Sequence, residues 1–296
     1  MPSSRRRLAR VPTVGIVSPG AMGSALGNAL VRGGARVVAT LAGRSERTMR
    51  LAGDAGIELV PDLGVVVRET DVVLSIVPPE VAPAVAGEVA RTAAEQGVTP
   101  VLVDLNAVSP ATALQIAERA AEAGIDTVDG SISGPPPWKP GTTRLYLSGP
   151  RAAEVASLPL DGVERIVVGA EVGLASAVKM STASVYKGSS ALLFQALLTA
   201  HRNGVLEHVL ADLRTAAPEL VAHVERRLAV AASKSGRYVA EMREIASTQA
   251  AAGLTPSLFE AVAETYETLA TTELARASPE DVPQDLTIEQ LLQGLR

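Results

Sequence analysis

The sequence predicts an α/β protein in which a doubly wound parallel sheet is followed by an all-α C-terminal domain. Three observations carry this prediction. The first half of the chain alternates short apolar runs with amphipathic stretches, the rhythm of successive βα units. After about Gly169 the strand-like runs disappear. Hydrophobic residues make up 47% of the 296 residues but aromatic residues only 2%. A core of Ala, Val, Leu and Ile suits helices and parallel strands better than an aromatic-rich antiparallel sandwich.

Thr13–Val17 reads as the first strand, and Met22 to about Arg32 as the first helix, stopped by Gly33-Gly34. Arg36–Leu41 reads as the second strand, with Ser45 placed to N-cap the next helix. A short strand follows near Ile57–Val60. Val72–Val77 is an apolar run ended by Pro78-Pro79, the mark of a strand buried on both faces. Val101–Val103 repeats the pattern, and Ser109-Pro110 opens a helix with a cap and a first-turn proline. Thr127–Ile132, Arg144–Ser148 and Arg165–Val168 complete the strands.

From Glu171 to about Asn203 there is no proline, and the only interior glycines are Gly173 and Gly188. A helix over that span is about 48 Å long at ~1.5 Å per residue. Val172, Leu174, Val178, Val185, Leu192, Leu193 and Leu197 occupy more than one of its faces. A helix that is apolar nearly all round is a buried one, so the expectation is a homodimer interlocked through the C-terminal helical domain. Segments near 205–232, 235–252 and 256–277 also read as helices, and the tail after Ala277 is polar and contains proline. The expected domains are residues 1–169 and 170–296.

A net charge of −5 argues against a broad nucleic-acid surface. Arg5-Arg6-Arg7 with Arg10 reads as a loose terminus, since no apolar stretch of signal-peptide length follows. The lack of cysteine removes disulfides, thiolate catalysis and Cys-zinc sites. No long uncharged apolar run calls for a membrane span, and a cytoplasmic protein is expected. His201, His208 and His223 have no compact carboxylate set beside them, so no metal site is expected.

The most informative stretch is Val14–Gly23, where an apolar run enters a glycine turn and a small-residue helix leaves it. Such a turn brings backbone N–H groups up to a pyrophosphate, and it points to a dinucleotide. Gly20 allows the close approach and Gly23 lets the helix pack on the sheet. Ala21 and Met22 supply further N–H groups of the turn. Ser18 stands where a GxGxxG fingerprint has its first glycine. With Pro19 restricting it towards extended geometry, Ser18 is expected at negative φ, in an altered but working turn. The second strand ends in Thr40-Leu41-Ala42-Gly43-Arg44-Ser45, without the carboxylate that holds the ribose 2′-OH of NAD. Arg44 offers a planar fork for a 2′-phosphate, to which Ser45 adds its hydroxyl and N–H, so NADP is the expected cofactor.

These residues resemble the β-hydroxyacid dehydrogenase superfamily, which includes 6-phosphogluconate and 3-hydroxyisobutyrate dehydrogenases and the imine reductases. Gly20–Gly23 and Gly43-Arg44-Ser45 are similar to its NADP-binding turn and loop. Ile76-Val77-Pro78 is similar to the cofactor-facing end of its fourth strand, and Asp104-Leu105-Asn106 to the segment flanking the nicotinamide ribose. Ser131-Ile132-Ser133-Gly134 resembles the substrate-binding Val-Ser-Gly-Gly. Gly173 to Lys179 resembles the helix that supplies the catalytic base. Lys187-Gly188, Arg237-Tyr238 and Glu241–Ile245 resemble a branch with a distinct helical C-terminal domain of poorly known function.

The resemblance implies NADP-dependent hydride transfer on a small hydroxy or oxo acid, or a related carbonyl compound. Lys179 would be the general acid/base, and Ser133 with the Gly134 N–H would hold a carboxylate or the reacting oxygen. Lys187 reads as a surface lysine, with a substrate or phosphate contact as the alternative. Trp138 either lies over the substrate or anchors its loop. Three positions depart from the family pattern: Ala183 replaces an Asn, Pro135 replaces a glycine, and Glu241-Met242-Arg243-Glu244 stands where a Lys-Asp pair is common. Imine or amine reduction on the same scaffold is one alternative function. A non-enzymatic NADP-binding regulatory protein is another.

Overall fold

The structure, a computed structural model, describes residues 11–41, 43, 45–277, 282–283 and 286–294. The chain forms two compact units, Met1–Lys179 and Met180–Arg296. The division falls ten residues beyond the expected 169/170 boundary. The reason is local: the first turns of the long helix are tied to the sheet by the hydrogen bonds described below.

The first unit contains β1 (Thr13–Val17), α1 (Ala21–Arg32), β2 (Arg36–Ala39), α2 (Glu46–Asp54), β3 (Glu58–Leu59), α3 (Leu63–Glu69), β4 (Val72–Ser75), α4 (Ala82–Gln96), β5 (Val101–Asp104), α5 (Pro110–Glu122), β6 (Thr127–Ser133), β7 (Thr143–Ser148), α6 (Ala152–Ala156) and β8 (Val163–Gly169). The strands form one sheet in the order β3-β2-β1-β4-β5-β6-β7-β8. All neighbours are parallel except β6 and β7. The sheet is otherwise parallel, as expected, and the cause of the exception is chain length. A parallel crossover needs a dozen or more residues. The link after Ser133 is shorter and carries Pro135-Pro136-Pro137, so the strand returns antiparallel.

The central strands β1, β4 and β5 alternate their side chains between two apolar layers. Val14, Ile16, Leu74, Val103 and Leu145 pack with Leu26 and Leu30 of α1 and Val155 of α6. Val17, Val73 and Leu102 pack on the other face with Val89 of α4 and Ile116 of α5. Burial on both faces explains the near-continuous apolar runs of β4 and β5, and each fully buried leucine contributes roughly 1.5–3 kcal/mol. The expected caps are present: Ser45 accepts from the Thr48 N–H and Ser109 from the Thr112 N–H.

The helix α7 (Leu174–Arg202) begins in the first unit and continues into the second. There follow α8 (Leu206–Ala216), α9 (Pro218–Val221), α10 (Val224–Ser233), α11 (Ser235–Ala251), α12 (Ser257–Ala270) and α13 (Ile288–Gln293). The span 205–232, expected as one helical segment, is broken twice. Pro218 starts a new helix, and His223 takes a left-handed φ of 52° before α10. The polar tail contains α13, opened by a capping box of Thr287 and Gln290. Leu193, Leu197, Leu228, Met242, Ile245, Phe259, Tyr266, Leu291 and Leu292 are buried in this unit. Among the described residues no helix is long and apolar enough to cross a membrane.

Candidate functional site

The strand order reverses direction between β1 and β4, and ligands of open α/β sheets bind outside the carboxyl ends of the strands at such a point. The glycine turn leaves β1 there. Ser18 has φ 67°, so the expected negative φ is corrected: Ser18 takes the left-handed conformation of the glycine it replaces. Its carbonyl accepts from the Gly20 N–H at 2.8 Å, and the Ser24 hydroxyl donates to the Pro19 carbonyl at 2.5 Å. These bonds fix the turn against a left-handed cost of about 1–2 kcal/mol. A Cβ at Gly23 would lie 2.7 Å from the Ser18 carbonyl oxygen, which is why this helix position is glycine.

The turn fits a pyrophosphate. A Cβ at Gly20 would meet no atom within 4 Å, and no side chain caps the N-terminus of α1. The N–H groups of its first turn, including those of Ala21, Met22 and Gly23, have no intrahelical partner. Beyond β2, Gly43 has φ 70° and Ser45 caps α2. Arg44 lies outside the described residues.

Val77 and Asn106 meet where β4 and β5 end. The Val77 N–H donates to Asn106 Oδ1 at 2.6 Å, and Asn106 Nδ2 donates to Ser75 Oγ at 3.1 Å and to Asp104 Oδ1. The amide orientation of Asn106 is thus determined on both sides, and Pro78 directly follows the fixed Val77. Asn106 itself is buried.

Behind Asn106 lies a feature that sequence reasoning missed. Ser75, Asp104, Asp129 and Ser148 are in register on four adjacent strands, and all are buried. The two carboxylates are served very unequally. Asp129 accepts from Ser148 Oγ at 2.9 Å, Gly173 N at 3.0 Å, Ser176 N at 2.9 Å and Ser176 Oγ at 2.6 Å. It is the anion at the N-terminus of α7, where the helix dipole favours negative charge. Ser148 Oγ also accepts from the Ala175 N–H at 3.0 Å. Asp104 has the Asn106 amide on Oδ1, while its Oδ2 is buried without a hydrogen-bond partner. Burial, then the neighbouring Asp129 charge, push the Asp104 carboxyl up to about 7, against the opposing hydrogen bonds from Asn106.

Asp129 thereby sets where Lys179 stands. Lys179 lies one turn beyond the anchored Ser176, is half-buried, and donates from Nζ to the Ile132 carbonyl at 2.6 Å. β6 therefore holds both the start of α7 and its lysine. Ser133 follows Ile132 at the end of the strand and is half-buried. Gly134 has φ 113°, and a Cβ there would lie 2.4 Å from the Thr142 carbonyl oxygen. Only glycine fits this bend. The loop beyond it is closed by Thr143 Oγ1 donating to the Pro135 carbonyl at 2.6 Å, and Trp138 is 41% exposed on it.

Residues 13–154 match the family model described as the NAD binding domain of 6-phosphogluconate dehydrogenase, and residues 200–269 match a domain of unknown function (DUF1932). The chain is similar to a conserved protein of unknown function whose structure is described as similar to 3-hydroxyacid dehydrogenases. The two are 30% identical over 90% of this chain and 100% of that one, with a TM-score of 0.65. Its fold is also that of the Mycobacterium tuberculosis 3-hydroxyisobutyrate dehydrogenase (19% identity, 92% and 98% of the two chains, TM-score 0.69). The same holds for a Streptomyces aurantiacus imine reductase (22%, 91% and 98%, TM-score 0.57). An uncharacterized 28.5 kDa protein of Methanothermus fervidus is 29% identical over 168 residues, a match that spans 57% of this chain and 63% of that relative.

Proposed function

The chain belongs to the β-hydroxyacid dehydrogenase superfamily, in a branch with a helical C-terminal domain, and from that premise we propose an NADP-dependent oxidoreductase acting on a small hydroxy or oxo acid or a related carbonyl compound. The observation that carries this reading is the Lys179 ammonium at the Ile132 carbonyl, beside Ser133 and Gly134, on a helix fastened to the same strand by Asp129.

A bound nicotinamide dinucleotide supplies the two-electron exchange with the substrate carbon. The turn of Ser18, Gly20, Ala21, Met22 and Gly23 holds its pyrophosphate through backbone N–H groups. Gly43, Arg44 and Ser45 would hold the 2′-phosphate, and Val77, Pro78 and Asn106 would lie on the nicotinamide ribose side. Lys179 takes the hydroxyl proton in oxidation and returns it in reduction. The Ser133 hydroxyl and the Gly134 N–H hold the carboxylate or the reacting oxygen.

The test is an NADPH-oxidation screen over 2-oxo acids, semialdehydes and cyclic imines. Turnover of the first two classes supports the reading. Turnover of cyclic imines alone replaces it with imine reduction, and NADPH binding without any turnover replaces it with a regulatory role. Cofactor choice is read separately. Arg44→Ala is expected to weaken NADPH about 10- to 150-fold, the worth of a charge-assisted hydrogen bond, and to leave NADH unchanged in fluorescence titrations. Equal NADH and NADPH affinities in the unsubstituted protein would remove the role given to Arg44.

We infer further that a second copy of the chain covers the helical domain. Val185 and Leu192, seven residues apart on α7, are 67% and 63% exposed, and Leu258 of α12 is 60% exposed. They border a groove of about 730 Å³ floored by Gly188 and Phe259. Ridge and groove lie on one face, as a two-fold interface requires. Leu192→Glu is expected to shift sedimentation from dimer to monomer; an unsubstituted chain that sediments as a monomer sinks the inference.

A further inference from the structure

Two stretches that resemble the helical branch take no part in the chemistry just proposed: Lys187-Gly188, and Arg237-Tyr238 with Glu241. They are far apart in sequence, and the unit Met180–Arg296 brings them together. Glu241 on α11 has a side chain only 5% exposed. It is ion-paired with Lys187 of α7, and with Arg237 one turn before it on α11, Nε to Oε1 at 3.1 Å. The Lys187 ammonium also lies 4.2 Å from the centroid of the Tyr238 ring, and the Arg237 guanidinium lies 5.7 Å from it. Tyr266 of α12 packs edge-on against Tyr238, with centroids 5.2 Å apart, and donates its hydroxyl to the Lys187 carbonyl at 2.8 Å.

Lys187 is therefore no plain surface lysine. Its side chain is 14% exposed and is held by a carboxylate and an aromatic face. Gly188 sits tightly beside it, for a Cβ there would lie 3.2 Å from the Phe259 ring. Two cations, Lys187 and Arg237, share the one carboxylate of Glu241. Glu241 and Lys187 are largely withdrawn from water, whereas the Arg237 side chain is 55% exposed. Burying an ion pair is poor evidence for a stabilising role, because desolvation offsets the attraction. A fixed ammonium and a planar guanidinium are, by contrast, the parts of an oxyanion receptor.

We propose that Lys187 and Arg237, positioned by Glu241 and Tyr238, form a binding site in the helical domain for a small oxyanion, a carboxylate or a phosphate. Arg237 makes the outer contact and Lys187 the inner one. The same chemistry serves the anionic group of a substrate or a free anionic effector.

The test is calorimetric titration of the cofactor-free protein with malonate and with inorganic phosphate, at ionic strength held constant with sodium chloride. One saturable site per chain is expected for at least one of the two. Arg237→Gln, which keeps a hydrogen-bond donor for Glu241 and whose folding is checked by circular dichroism, is expected to weaken it about tenfold or more. Arg237→Lys keeps the charge and is expected to recover most of that loss. No saturable binding of either anion, or equal binding by Arg237→Gln, overturns the site. If a substrate is found, a rise in its KM on malonate addition with kcat unchanged marks a substrate anchor, and an unchanged KM marks an effector site. The titration needs no turnover, so it stands or falls apart from the oxidoreductase reading.

Discussion

Lys179→Ala is expected to lower kcat about 10²- to 10⁴-fold on any substrate found by the screen, the range over which a positioned acid/base contributes. NADPH affinity is expected to stay within twofold or so, because the residues assigned to the cofactor do not include Lys179. The fold is expected to survive. The start of α7 is held by Asp129 and Ser148 through Gly173, Ala175 and Ser176, independently of the bond from the lysine to the Ile132 carbonyl. Stopped-flow reduction by NADPH with a saturating substrate reads the chemical step directly. Lys179→Met keeps the length of the side chain and removes only the proton carrier, so both variants should fail alike. Activity within tenfold of the unsubstituted enzyme in either, with cofactor binding intact, removes Lys179 from proton transfer.

The order of elements was legible because the central strands β1, β4 and β5 are buried on both faces and several helices carry their own punctuation. Ser45, Ser109 and Gly33 mark ends that the fold uses as read. Ser18 was misread because the restriction by Pro19 is a local preference. The Ser18 carbonyl must accept from Gly20 for the chain to turn into α1, and that requirement prevails over the preference. The direction of β7 was not legible for a similar reason. Its residues carry the pattern of any strand, and only the shortness of the Pro135–Pro137 connection dictates its direction.

The site divides along the same line. Gly20, Gly23, Gly134 and Lys179 lie in contiguous motifs, so their neighbours in sequence announce them. The row Ser75, Asp104, Asp129 and Ser148 does not. Ser75 and Asp104 are single polar residues at the ends of apolar runs, Asp129 and Ser148 lie in more mixed strands, and strand register alone makes the four neighbours. The signal available was in β4 and β5, where Ser75 and Asp104 stand in doubly buried strands that should be apolar. The Lys187–Glu241 pair gave no such signal, since the helices that unite it are separated by three others.

The unequal treatment of the two carboxylates has a consequence for stability. Asp129 meets four donors at a helix terminus, and Asp104 meets one amide and the charge of Asp129. The Asp104 carboxyl is raised from 3.8 to about 7, so the folded state binds its proton more tightly than the unfolded chain does. Its contribution is then fully present below pH ~4 and is lost as pH rises towards 7. Three units of displacement correspond to about 4 kcal/mol, of which roughly 3 kcal/mol falls between pH 5 and 8.5. Asp104→Asn keeps the shape and the acceptor for Asn106 but carries no charge at any pH. Urea unfolding is therefore expected to show the variant gaining on the unsubstituted protein by about 3 kcal/mol over that interval. Carboxylates that do not face Asp104 are common to both proteins and cancel in the difference; Asp129, whose charge helps to raise Asp104, is the one that does not. Two curves that stay parallel from pH 5 to 8.5 would mean that Asp104 is ionised throughout, and that Oδ2 has found a donor as effective as those around Asp129.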